Sequence, residues 1–229
     1  MILAIETSTD LATIALAHGD VRERECPHRL DLVRRLMPEI VNLVAEAGYG
    51  LDDIEGVAVG LGPGGFTSVR IGLATAKALA HALGVPLAGV SSLAAAAYRM
   101  SAYAQPDELL CPVLEAHRGE LYAAVFAAVG VAVERRSDFL VASPESLVAT
   151  LAKLRAPVIF GGEGKALAEA KQGLAMLPEH RLLDADTSPR ASAVVALAPP
   201  ARRAAPADWL GLQPIYVRPS AAEERLGER

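Results

Sequence analysis

Apolar positions along the chain alternate between short unbroken runs and longer stretches at helical spacing, with polar turn clusters between them. Residues 1–5 form an apolar run that reads as a buried strand, and Glu6-Thr7-Ser8-Thr9-Asp10 carries turn chemistry. Two further strands are predicted at 11–17 and 21–25, joined by the tight turn His18-Gly19-Asp20. Residues 30–47 have a helical period, with Leu30, Val33, Met37, Ile40, Val41 and Val44 on one broad face. Pro38 lies inside this helix and removes one backbone hydrogen bond, which predicts a kink, and Gly48 and Gly50 end it. A strand at 54–59, a glycine-rich loop, a helix at 67–83 stopped by Gly84, a strand at 85–90 and a helix at 91–103 follow. The order is βββαβαβα.

The second half starts again. Residues 109–114 are an apolar run ending at Glu115, as the first run ends at Glu6. A turn at 116–120 leads to strands at 121–126 and about 131–140. Ser143 is placed to cap a helix with Pro144 at its first position, and 158–160 form another strand. The recurrence of βββαβ predicts an internal duplication, hence two packed α/β lobes with a cleft between them. The lobes are expected at 1–104 and 105–200, with the Pro- and Ala-rich tail 201–229 returning to the first.

Composition narrows the classes. The chain has 229 residues, 52% apolar and 21% charged, which suits a folded protein with a substantial core. No stretch reads as a membrane span or a secretory signal, and Cys26 and Cys111 form no ligand pattern, so reduced thiols in the cytoplasm are expected. A net charge of −5 and only 4% aromatics disfavour tight nucleic-acid binding by this chain alone.

Residues 60–72 read GLGPGGFTSVRIG and match G-x-G-x-x-G between a strand and a helix. A dinucleotide site also needs an acid about 20 residues on, and no Asp or Glu occurs from Gly56 to Pro106. A Walker loop needs Gly-Lys-Ser/Thr, and this stretch has Gly65-Phe66-Thr67. The remaining reading is a strand-to-helix turn shaped by Gly62, Pro63, Gly64, Gly65, Phe66 and Thr67, with Thr67 or Ser68 capping the helix. That helix is lined by small residues and carries no acid, which suits close packing against a partner.

Glu6 and Glu115 end matching strands and would face one another across the cleft. The preferred reading is that each accepts turn N–H bonds; the alternative is a vestigial nucleotide or cation site with Ser8 and Thr9. The histidines His18, His28, His81, His117 and His180 are scattered, and His28-x-x-Asp31 reads as a helix cap, so no metal site is expected. No G-x-S-x-G elbow is present.

The segments AIETST (4–9), GLGPGGFTSVRIG (60–72), GVSSL (89–93), EAHRGELY (115–122) and PIYVR (214–218) come in the order seen in the TsaB (YeaZ) family, which this chain resembles over nearly its whole length. The resemblance implies a duplicated RNase H-like fold of the sugar kinase, heat-shock chaperone and actin class. It implies a non-catalytic subunit that binds and activates TsaD for formation of N6-threonylcarbamoyladenosine at position 37 of tRNAs decoding ANN codons. TsaE would join a ternary complex, a homodimer would form in the absence of TsaD, and tRNA would be met only through the complex. ATP and metal would sit on TsaD and TsaE, with no cofactor on this chain alone. The catalytic sister carries His-x-x-x-His where this chain has Ser91 to Ala96, and the family's Arg position after the sixth strand is His117 here. The resemblance places partner contacts on the first two helices, with Met37, Val41, Arg70, Leu73, Ala74 and Lys77 as candidates. Two rival functions are an ATPase acting in its own right and a metal-dependent peptidase.

Overall fold

The computed structural model describes residues 1–27, 31–198 and 211–217. His28, Leu30, Arg218 and most of the tail expected to rejoin the first lobe lie outside the described residues.

The first sheet comprises β1 (Ile2–Glu6), β2 (Leu11–His18), β3 (Asp20–Pro27), β4 (Gly56–Gly60) and β5 (Leu87–Val90), in the order β3-β2-β1-β4-β5. The first three strands run antiparallel, and β4 and β5 run parallel to β1. The central strands β1 and β4 are apolar on both faces, as strands covered by helices on both sides must be. Three helices serve this repeat: α1 (Leu32–Glu46), α2 (Phe66–Leu83) and α3 (Ser92–Ser101).

The second repeat holds β6 (Leu109–Glu115), β7 (Leu121–Ala123), β8 (Phe126–Val129), β9 (Ala132–Arg135), β10 (Leu140–Ala142), β11 (Val158–Gly162) and β12 (His180–Leu182). Its helices are α4 (Pro144–Leu151), α5 (Gly164–Leu174) and α6 (Ala191–Leu197). The main path β10-β7-β6-β11-β12 repeats the order of the first sheet, and β8, paired with β6, and β9, paired with β8, extend it. This is a duplicated RNase H-like fold of the actin type. Ser143 accepts from Ser146 N–H at 3.3 Å and Pro144 opens α4, as the sequence predicts.

Three elements depart from expectation. The single strand expected at about 131–140 is divided into β9 and β10. The strand expected at 121–126 is split into β7 and β8, although both pair with β6 in one continuous register. That register sets Pro112 of β6 opposite Ala124, and Pro112 has no N–H to give the ladder. In α1 the buried residues are Leu32, Leu36, Ile40, Leu43 and Val44, not the single broad face expected. Val33 (70% exposed) and Val41 (43%) lie outside the core, with half-buried Met37 between them at steps of four.

The repeats interlock. The last helix of the first repeat, α3, packs on β6 and β11 of the second sheet, and α6 packs on β1, β2 and β4 of the first. Leu93, Ala97 and Met100 of α3 share a core with Leu110, Leu114, Phe126 and Ile159. Ala193 and Val194 of α6 share one with Ala4, Ala15 and Ala58. Beyond α6, Leu212 packs on the core of the first sheet, and Ile215 N–H donates to Leu61 O at 2.8 Å.

Candidate functional site

The glycine loop lies on the turn that follows β1. Gly65 N–H donates to Ser8 O at 2.8 Å, and a Cβ on Gly64 would collide with that same carbonyl. A Cβ on Gly60 would overlap the Glu6 carboxylate, and one on Gly72 would overlap Thr7 Oγ1, which itself donates to Ser68 O at 2.9 Å. Gly62 takes φ +84, a conformation that favours glycine. The loop therefore lets β4 and α2 approach the β1–β2 turn more closely than side chains permit. The cap differs from expectation: α2 begins at Phe66 with Gly65 as N-cap, which has no side chain to offer, and Ser68 Oγ donates back to Gly65 O at 3.0 Å.

Under this loop Glu6 is fully buried. Its Oε1 accepts Ser8 N–H at 2.7 Å and its Oε2 accepts Ser92 Oγ–H at 2.8 Å. Burial raises the Glu6 pKa above the ordinary carboxylate value, with the hydrogen bonds from Ser8 and Ser92 opposing the shift. Ser92 also accepts Gly62 N–H at 3.1 Å and returns its own N–H to Gly62 O at 2.8 Å. The second repeat holds the same clasp: Gly162 N–H donates to Thr187 Oγ1 at 2.6 Å, and Thr187 N–H to Gly162 O at 3.0 Å. Ser92 was missed as a site residue because its partner Glu6 lies 86 residues away, although it stands in the GVSSL segment.

Glu6 and Glu115 are held by different partners. Glu115 is half-buried, pairs with Lys165 Nζ at 2.9 Å, and lines a small cavity of about 70 Å³ with Gly119, Glu120 and Glu169. Its backbone N–H donates to Glu163 Oε2 at 2.9 Å, and burial raises the Glu163 pKa against that bond. Of the four residues of the expected nucleotide or cation site, Thr9 lines a space between the repeats. That space, about 220 Å³, is lined by Thr9, Asp10, Glu163, Lys165, Asp186 and Arg190 among others. Ser8 is buried beside Glu6. Among the described residues no three His, Cys, Asp or Glu side chains cluster as a metal site.

The candidate partner residues divide. Leu73 is 5% exposed and belongs to the core of the first sheet, so it cannot serve as a contact, because α2 turns Val69, Leu73, Ala76 and Leu79 inward. Arg70 and Ala74 are exposed, and Lys77 is half-buried. On α2, Phe66, Arg70, Ala74, Ala78 and Ala82 recur every four residues and all are exposed. On α1, Val33, Met37 and Val41 form the matching outward stripe, and the two helices touch.

Topology and site define an actin-type fold whose first strand-end acid is sealed under a glycine loop, with an apolar stripe left on each of two neighbouring helices. The sequence profile described as TsaD: tRNA N6-adenosine threonylcarbamoyltransferase matches residues 30–195. The tRNA threonylcarbamoyladenosine biosynthesis protein TsaB of Haemophilus influenzae is 32% identical over 140 residues, covering 60% of this chain and 57% of that protein. YeaZ from Pseudomonas aeruginosa superposes with a TM-score of 0.72 at 26% identity, covering 94% of this chain and 99% of that one. A crystal structure described as an uncharacterized protein with similarity to peptidase YEAZ from Pseudomonas aeruginosa gives 0.74 at 27% identity, covering 95% and 99%. This chain belongs to that profile's family, on its TsaB (YeaZ) branch. Its matched stretch spans from 34% to 66% of the length of the first curated relatives.

Proposed function

We propose that this chain is a non-catalytic subunit of the machinery that makes threonylcarbamoyladenosine in tRNA, binding and activating TsaD through α1 and α2. The observation that carries the reading is the pair of outward apolar sets, Val33 and Val41 on α1 and Ala74, Ala78 and Ala82 on α2, which the described residues leave exposed, with half-buried Met37 between the two valines. Small residues on α2 let a partner helix approach closely, and apolar residues on α1 supply area to bury. The sealed Glu6 supports a structural rather than catalytic role, since a carboxylate with both oxygens bonded inside the fold is not presented to a substrate. On this reading the chain works in the cytoplasm and self-associates through the same face when TsaD is absent. It holds no cofactor alone, joins TsaE in a ternary complex, and meets tRNA only through its partners. Among the described residues no helix is long and apolar enough to cross a membrane.

The test is size-exclusion chromatography with light scattering, with and without purified TsaD, on wild type, Val41→Asp and Ala74→Glu. A one-to-one complex that wild type forms and both variants fail to form is the expected result. Wild type that stays apart from TsaD even with TsaE and nucleotide sinks the proposal. The cavity between the repeats favours one rival, a nucleotide site of its own. Heat released on titrating ATP and magnesium into the isolated chain would support that rival instead.

A further inference from the structure

The PIYVR segment is not absorbed by the two-helix face as described so far. Its Tyr216 stacks at the N-terminal end of the α2 stripe. Tyr216 OH accepts Arg70 Nε–H at 2.7 Å, and the Arg70 guanidinium lies 3.7 Å from the centre of the Phe66 ring. The two rings are 5.7 Å apart. Anchoring the tail does not require this arrangement, because Leu212 in the core and Ile215 N–H on Leu61 O already hold it. The three side chains stack outward instead: Phe66 is 41% exposed and Tyr216 48%. In a chain with only 4 Phe and 5 Tyr, two of them share one surface spot continuous with Ala74 and Ala78.

The guanidinium is held against the Phe66 ring and near the Tyr216 ring with its Nε engaged. Among the described residues Arg70 forms no ion pair. A rigid arginine flanked by aromatic rings on an exposed helix face is the kind of feature that dominates protein interfaces. Resting on the partner-binding reading above, we infer that Phe66, Arg70 and Tyr216 form a composite contact platform, completed by the C-terminal segment. It receives an acidic side chain, flanked by an apolar one, from the protein partner. Tyr216 acts as the positioning residue for Arg70.

Affinity for purified TsaD from the same organism is measured by biolayer interferometry on wild type, Arg70→Ala, Tyr216→Ala, Tyr216→Phe and the Arg70→Ala/Tyr216→Ala pair. Arg70→Ala and Tyr216→Ala are each expected to weaken binding by about tenfold or more. The double variant should bind about as weakly as Arg70→Ala alone, since both changes remove one unit. Tyr216→Phe keeps the ring and should lose about threefold or less. The deficit of Arg70→Ala should shrink as salt rises from about 50 to about 500 mM. Leu212 and Ile215 hold the tail without Arg70, so Arg70→Ala is decisive even if Tyr216→Ala unfolds. Wild-type affinity in Arg70→Ala, with Val41→Asp still abolishing the complex, overturns the platform and leaves the partner reading intact. No complex from wild type overturns both.

Discussion

Glu6 shows how one buried acid ties distant segments together. Its carboxylate holds Ser8 and Ser92, and Ser92 holds Gly62, so the end of β1, the glycine loop and the start of α3 share one hydrogen-bond network. Burial raises its pKa above the ordinary 4.5, so the folded protein binds the proton more tightly than the unfolded chain. Stability from this group is therefore fully present below about pH 4.5 and is lost as pH rises through the folded value. Glu6→Gln mimics the protonated form, accepting from Ser8 N–H and donating to Ser92 Oγ. Urea unfolding of both proteins at about pH 5 and pH 8 should show the stability difference moving in favour of Glu6→Gln at the higher pH. Parallel pH dependence in the two proteins would mean that Glu6 titrates as if exposed. The turn-N–H role of Glu6 was legible because Ser8 is two residues away, whereas Ser92 needed the fold.

At the level of elements, the strands that are short apolar runs between turn residues, such as β1, β4, β6 and β11, were legible, whereas the polar His180-Arg181-Leu182 of β12 gave no such signal. The orientation of helices was not legible. Both the core stripe and the outward stripe of α1 are apolar, so periodicity identifies the helix but cannot say which side the sheet covers. The small residues of α2 pose the same ambiguity, and it placed Leu73 on the wrong side. Burial now makes neighbouring positions behave oppositely. Leu73→Asp puts an unpaired charge into the core of the first sheet and should cost about 4 kcal/mol, read as a large drop in thermal midpoint. Ala74→Glu, one residue on, should stay within about 0.5 kcal/mol of wild type in the same scan. Its effect belongs to complex formation. Equal destabilisation by the two changes would contradict the orientation of α2. The helices α5 and α6 escaped prediction for another reason: α5 has a nearly neutral mix of Ala, Lys, Glu and Gly, and α6 is only 7 residues long.

The whole molecule is a duplication whose halves are not independent. Sequence made the repeat visible through matching element order and through the matching strand ends Glu6 and Glu115. It could not show the exchange of helices, in which α6 reaches β1 and β2 at the far end of the chain. The Gly62–Ser92 and Gly162–Thr187 clasps mark the same point in each repeat, just before the chain leaves its own sheet for the other. Because α3 covers the second sheet and α6 the first, cutting the chain after residue 104 leaves each piece without a helix that its core requires. The first piece would expose Leu93, Ala97 and Met100 to water, and the second would bare the face of β6 and β11 that they cover. Each fully buried Leu or Met contributes about 1.5–3 kcal/mol of transfer free energy, so losing even two of them removes a large part of a typical domain's 5–15 kcal/mol. The intact chain should therefore melt in one transition, with calorimetric and van't Hoff enthalpies in agreement. Fragments 1–104 and 105–229, expressed separately, should show no cooperative melt, and mixing them should restore one. A fragment that unfolds cooperatively on its own would show that the helix exchange is a late embellishment on self-sufficient halves rather than the bond that makes them one protein.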